Sequence, residues 1–171
     1  PVVVNDAPGF LVNRCLAPYV NEAARLLLEG TSPEAIDAAM LDFGMPMGPF
    51  TLYDVVGLDT AVHAGRTMLA AFPDRVVPAP IVQKLVECGR LGQKSGKGFF
   101  DYPPAKGGKP PRGTNSEDVT KLIAECRTGE ARKFSSEQLI DRLFLPMLLE
   151  ATRVLGDGLV RDVRDVDLAL I

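Results

Sequence analysis

Residues Asn5-Asp6-Ala7-Pro8-Gly9-Phe10-Leu11-Val12-Asn13-Arg14, running on to Glu29, decide how this chain is read. Pro8-Gly9 predicts a turn, because proline fixes φ and glycine accepts positive φ. Apolar residues then recur at helical spacing for about five turns, which predicts a helix from Phe10 to Glu29 ended by Gly30. Asn13 interrupts the stripe that it shares with Ala17, Val20, Ala24 and Leu27. An amide facing the interior needs a partner, because an unpaired buried polar group is costly. From the residues alone, Asn13 reads as a helix amide satisfied by a neighbouring segment.

Downstream, Thr31-Ser32-Pro33-Glu34 supplies a cap, an early proline and an acidic first turn for a helix to Phe43. Gly44-Met45-Pro46-Met47-Gly48-Pro49 is a rigid turn. Helices are expected over Thr51 to Val56, Asp59 to Phe72 and Pro80 to Cys88, the first two divided at Gly57. A glycine-rich basic loop, residues 91–98, leads to an extended Phe99-Phe100-Asp101-Tyr102. Residues 103–115 offer almost nothing to bury and read as a linker between a unit at 1–102 and a second at 116–171. In the second unit a helix is expected over Glu117 to Arg127. Ser135-Ser136-Glu137-Gln138 is a capping box before a long helix from about Ser136 to Leu155 ended by Gly156-Asp157-Gly158, and another helix starts at Val163.

The long helix is written twice. Leu139-Ile140-Asp141-Arg142 lies over Leu11-Val12-Asn13-Arg14, Pro146 over Pro18, Glu150-Ala151 over Glu22-Ala23, Arg153 over Arg25 and Gly158 over Gly30. A helix-interior proline costs about 3 kcal/mol, so its recurrence at one register position argues for duplication. The second copy lacks a stop signal at Ile171 and reads as truncated.

The totals exclude some classes. Net charge is −3 over 171 residues, without the basic excess of a nucleic-acid binder. No apolar run has the length of a membrane span. Cys15, Cys88 and Cys126 are scattered, with no spacing for zinc or a disulfide framework, and suit a reducing, cytoplasm-like compartment. The chain does not begin with methionine and is expected to be a piece of something longer.

Four motifs occur in order: residues 6–14, Pro46-Met47-Gly48-Pro49-Phe50, Asp54-Val55-Val56-Gly57-Leu58-Asp59, and Lys94-Ser95-Gly96-Lys97-Gly98-Phe99-Phe100-Asp101-Tyr102. With them the chain resembles the C-terminal domain of 3-hydroxyacyl-CoA dehydrogenase. The duplication resembles, more narrowly, the α subunit of the multifunctional fatty-acid β-oxidation enzyme. The resemblance implies an all-α fold of the 6-phosphogluconate dehydrogenase C-terminal-like type, duplicated, with a truncated second copy. It implies NAD-dependent oxidation of L-3-hydroxyacyl-CoA, with NAD and a His–Glu pair supplied by an upstream Rossmann domain. By the same resemblance Asn13 is catalytic, lying near the substrate's 3-oxygen. Met47, Gly48, Pro49 and Lys94 are expected to meet the acyl-CoA substrate. An enoyl-CoA hydratase domain in the same chain, a thiolase subunit and a homodimer are implied partners, and the bacterial cytoplasm the implied location. The second copy is expected to act as an internal dimer partner, and the segment alone to be inactive. The rival readings are a non-catalytic helical assembly module and the helical domain of another Rossmann-linked dehydrogenase.

Other features are set aside. The chain has no GxGxxG following a strand, so the dinucleotide fingerprint is absent. His63, the single histidine, sits in no motif and is read as a surface or satisfied helix residue. Residues 92–98 are not a triphosphate loop: the spacing from Gly92 to Gly96 is one residue short, and Lys97, the lysine after the second glycine, is followed by Gly98 and not by Ser or Thr.

Overall fold

The computed structural model describes residues 1–104 and 113–170. Most of the linker expected at 103–115, and Ile171, lie outside the described residues. The elements are α1 (Val12–Leu28), α2 (Pro33–Phe43), α3 (Pro49–Val56), α4 (Leu58–Ala71), α5 (Pro80–Glu87), α6 (Glu117–Cys126), α7 (Ser136–Gly156) and α8 (Val163–Leu170). A 3-10 turn at Gln93–Ser95 precedes isolated bridges that join Gly92 to Lys97, Lys97 to Asp101 and Asp101 to Thr114. Among the described residues the fold is all-α, as expected. The extended Phe99–Tyr102 segment pairs locally and builds no sheet.

Local chemistry sets the helix ends. Ser32 Oγ accepts from Ala35 N at 3.3 Å, and Pro33 occupies the first position of α2, where a missing N–H costs nothing. Gly44 then closes α2 in the left-handed region at φ 115°, which a side chain would disfavour. The capping box before α7 is complete: Ser135 Oγ accepts from Gln138 N, and Gln138 returns its oxygen to Ser135 N.

The core forms where α1 lies along α7. Tyr19, Ala23, Leu26 and Leu27 of α1 are buried with Leu139, Leu143 and Val154 of α7. The Asn13 stripe joins this core at its C-terminal end, where Ala24 and Leu27 are fully buried, whereas its N-terminal part faces away, so two faces of α1 are in use. One meets α7; the other, through Ala17 and Val20, meets a cavity.

Two buried aspartates fasten the connections. Asp37 of α2 accepts from Phe50 N (2.9 Å), Thr51 N (3.0 Å) and Thr51 Oγ1 (2.7 Å), capping α3 from another helix. Asp54 of α3 accepts from Phe99 N (2.8 Å), Phe100 N (3.0 Å) and the Tyr102 hydroxyl (2.9 Å). Burial pushes both carboxyls above their ordinary range, against the pull of these donors. Arg90 finishes the loop by donating to Gly98 O (2.7 Å) and to Asp101 (2.6 Å).

Candidate functional site

Between α1, α3, α4, α5 and the connection from α4 to α5 lies a cavity of about 610 Å³. That is the size of a small-molecule site. Leu16 and Val20 of α1, Leu52 and Val56 of α3, and Val62 and Leu69 of α4 give it aliphatic walls. Small residues, Ala17, Ala61, Ala64 and Gly65, keep it open; a Cβ on Gly65 would meet nothing within 4 Å.

Asn13 lines this cavity and also a smaller adjoining one of about 210 Å³, walled by Val2, Val4 and Ala169. Its side chain is exposed, not buried as its place on an apolar stripe suggested. The N-terminal part of the stripe, Asn13, Ala17 and Val20, faces a hollow, while Ala24 and Leu27 are packed core, so the amide reaches solvent-accessible space. The turn before it is tight: Gly9 has φ 77°, and Phe10, at φ 47°, holds a conformation uncommon for a residue with a side chain. Gly9 is required there, because a Cβ would run into Met68 Sδ at 2.7 Å and Arg14 N at 3.2 Å.

The other expected site residues lie elsewhere. Met47, Gly48, Pro49 and Lys94 do not line the cavity. Gly48 and Pro49 are buried at the start of α3, where a Cβ on Gly48 would overlap the Asp37 carboxyl. Lys94 donates to Asp59 at 2.5 Å beside Gly57, holding the basic loop to the start of α4. That hydrogen bond keeps the exposed Asp59 carboxyl below its usual range. His63 is exposed on α4.

Charged groups cluster behind the cavity. Arg14, the residue after Asn13, is 2% exposed; its Nε donates to Glu150 at 2.8 Å and its Nη2 to Asp157. Arg75 donates to the same Glu150 oxygen at 2.9 Å, and Arg153 to the other at 3.0 Å. The guanidinium carbons of Arg14 and Arg75 stand 4.7 and 4.5 Å from the centre of the Phe72 ring. A second cluster repeats this chemistry. Arg142 donates to Glu22 (Nε, 2.6 Å) and to Glu29 (2.8 and 3.1 Å), with Arg132 on Glu29 at 3.3 Å. Arg142 and Arg132 also share a ring, Phe134. The sequence repeat pairs Arg14 with Arg142, Glu22 with Glu150 and Glu29 with Asp157, so the arginine of each repeated stretch meets the acids of the other. That reciprocity is the pattern of a two-fold interface. Sequence reading noted the repeated Arg and Glu but not their pairing; the common offset of 128 between the copies carried that signal.

The acids' ionisation sets a pH dependence. Burial raises the Glu150 carboxyl, but Arg14, Arg153 and Arg75 outweigh it and hold it below its ordinary range. The hydrogen bonds from Arg142 lower Glu29 likewise. A depressed carboxyl stabilises fully above its unfolded value of about 4.3, and the contribution is lost as pH falls through the folded value. Asp37 and Asp54, raised by burial, act oppositely: their contribution is present below about 3.9 and lost as pH rises through their folded values. The melting-temperature deficit of Glu150→Gln is therefore expected to be largest near neutrality and to shrink below about pH 4.3. A deficit that stays constant down to about pH 2.5 would show that the ionised carboxylate is not what stabilises.

The fold and site define a helical domain with a largely apolar pocket that the Asn13 amide lines together with Asn21 and Gln83. Residues 9–102 match the 3-hydroxyacyl-CoA dehydrogenase C-terminal domain family, and the chain belongs to that family. It is 42% identical over 173 residues to the fatty acid oxidation complex subunit alpha of Acinetobacter baumannii (strain AYE). It is 45% identical over 175 residues to the protein of that description from Pseudomonas savastanoi pv. phaseolicola. In both cases all of this chain matches 24% of the relative, so the chain spans about a quarter of their length. Among solved structures, it resembles the 3-hydroxybutyryl-CoA dehydrogenase of Escherichia coli K12 with a TM-score of 0.75 at 26% identity. That match covers 99% of this chain and 51% of the other. The dehydrogenase part of multifunctional enzyme 1 from C. elegans also scores 0.75 at 26% identity, covering 100% of this chain and 38% of that one.

Proposed function

We propose that these residues form the acyl-CoA side of an NAD-dependent L-3-hydroxyacyl-CoA dehydrogenase of fatty-acid β-oxidation, incomplete by themselves. One observation carries the reading: Asn13 stands at the edge of an otherwise largely aliphatic cavity. A fatty-acyl chain suits such walls, since its burial is favourable by about 0.8 kcal/mol per methylene. The amide can donate to the 3-oxygen as that atom takes on carbonyl character, and its backbone position on α1 is set before substrate arrives.

The residues here do not fit a dinucleotide. The chain has no GxGxxG, and among the described residues no parallel sheet presents a helix N-terminus to a pyrophosphate. NAD and the base that takes the 3-hydroxyl proton accordingly belong to a Rossmann domain outside these residues. The contribution of this chain is to enclose the acyl chain, exclude water and hold the amide. The full enzyme would share its chain with an enoyl-CoA hydratase domain and pair with a thiolase subunit in a bacterial cytoplasm, as the family resemblance implies; the relatives' description as a fatty acid oxidation complex subunit is in keeping with such an assembly. Among the described residues no helix is long and apolar enough to cross a membrane.

Residues 1–102 and 116–171 are read as two copies of one unit, the second serving as an internal dimer partner. The reciprocal arginine–acid pairs support that reading. In the full-length enzyme, Asn13→Ala is expected to lower kcat/KM for 3-hydroxydecanoyl-CoA about 100-fold with the melting temperature unchanged, the effect of removing one donor to a developing oxyanion. Wild-type kcat/KM in that variant would sink the catalytic role of Asn13.

A further inference from the structure

Glu150 lies on α7, in the second unit, and touches neither cavity. It nevertheless holds both sides of the larger one. On one side, Arg14 directly follows Asn13, and its buried guanidinium is fixed by Glu150 and Asp157. On the other, Arg75 belongs to the connection from α4 to α5, whose neighbouring Val76, Pro78 and Ala79 form cavity wall. Phe72, between the two guanidiniums, ties the same connection to Arg14. Asn21 of α1 adds a second fastening, donating to Val77 O at 3.1 Å and accepting from Ala79 N at 3.2 Å.

We infer that Glu150, with Asp157, is a positioning residue supplied by the second unit, setting the Asn13 amide against the cavity wall at residues 72–79. The inference rests on the acyl-CoA reading for its catalytic consequence, but not for its geometry. The argument from symmetry is what separates positioning from mere stability. The Arg142–Glu22–Glu29 cluster has the same chemistry, ring included, yet Arg142 and Arg132, unlike Arg14 and Arg75, adjoin no cavity-lining residue in the sequence. Glu22 and Glu150 are thus matched carboxylates that differ in what they hold: the arginines on Glu150 adjoin Asn13 and Val76, whereas Arg142 on Glu22 adjoins no cavity residue, although Glu22 itself follows Asn21. A purely structural role would make their loss equivalent.

The test compares Glu150→Gln with Glu22→Gln in two measurements. Amide hydrogen exchange on the present chain is expected to show faster exchange at residues 10–15 and 72–79 in Glu150→Gln only, with Glu22→Gln loosening residues 132–142 instead. In the full-length enzyme, Glu150→Gln is expected to lose about tenfold in kcat/KM for 3-hydroxydecanoyl-CoA while Glu22→Gln stays at the wild-type value, a small displacement of a reacting group being enough for such a loss. The milder variants divide the effect. Arg75→Met, which frees the wall alone, should raise KM with kcat kept; Asp157→Asn, which frees α1 alone, should lower kcat with KM kept. Asp157→Asn also serves should Glu150→Gln not fold, since the Asp157 side chain is 49% exposed. Equal kinetic losses in the two glutamate variants, or unchanged exchange at 72–79, would overturn the inference. Wild-type kinetics in Asn13→Ala would instead strike at the acyl-CoA reading and leave the exchange result to decide the positioning.

Discussion

Replacing Asp54 by alanine is expected to destabilise the chain by about 4 kcal/mol, enough to remove much of a domain's margin. Asp54 is fully buried and accepts from two consecutive backbone amides and one hydroxyl. Truncation leaves Phe99 N, Phe100 N and the Tyr102 hydroxyl without their acceptor, and each buried donor left unpaired costs about 1–3 kcal/mol. The loss propagates, because Phe99 packs against Phe50 with ring centres 4.6 Å apart and against Tyr53 at 5.5 Å. Asp54→Asn retains one carbonyl acceptor of nearly the same shape and should cost about half as much. Urea denaturation of the three proteins gives the comparison; an alanine variant within about 1 kcal/mol of wild type would mean that the loop re-pairs its amides elsewhere. Gly98 belongs to the same assembly, since a Cβ there would overlap an Asp54 carboxylate oxygen.

Gly48→Ala is expected to cost about 3 kcal/mol, through a different mechanism. Gly48 has φ −74°, which any residue adopts, so backbone strain is not the reason. A Cβ there would lie inside the Asp37 carboxyl group, which is 6% exposed and holds three donors at the start of α3. The side chain can yield only by releasing Phe50 N and Thr51. The same variant separates two roles for the Pro46–Phe50 motif. If Gly48 meets acyl-CoA, KM rises in the full-length enzyme at temperatures where the variant is folded. If it serves the Asp37 fit alone, the denaturation midpoint falls and KM does not move.

These two aspartates show why motif reading and site geometry part company. Met47-Gly48-Pro49 and Lys94 stand in motifs of the family, and a motif marks a position without saying what the position does. Gly48 accommodates a carboxylate, Pro49 starts a helix, and Lys94 fastens a loop to Asp59. Asn13 differs because its environment is a hollow. Its stripe was plain in the sequence, but an amphipathic stripe looks the same whether it faces core or cavity. Ala17 and Val20 satisfy either.

The local signals were legible because local chemistry decides them. Proline at first helical positions, serine caps, glycine at helix ends and apolar residues at helical spacing place all eight helices of the described residues to within one to three residues. The repeat in residues 11–30 and 139–158 was equally plain, since both copies carry the interior proline. Tertiary structure alone decided which groups meet. Arg14 and Glu150 are 136 residues apart, and Arg142 and Glu22 are 120 apart. Ion pairs of that separation have no spacing rule, because they form only once α1 lies along α7. The cavity belongs to the same category: it is a volume that four helices and the connection from α4 to α5 leave unfilled, and no residue encodes it by itself. Sequence periodicity determined the helices and which of their faces are apolar; packing determined that one such face of α1 is buried and the other left open beside Asn13.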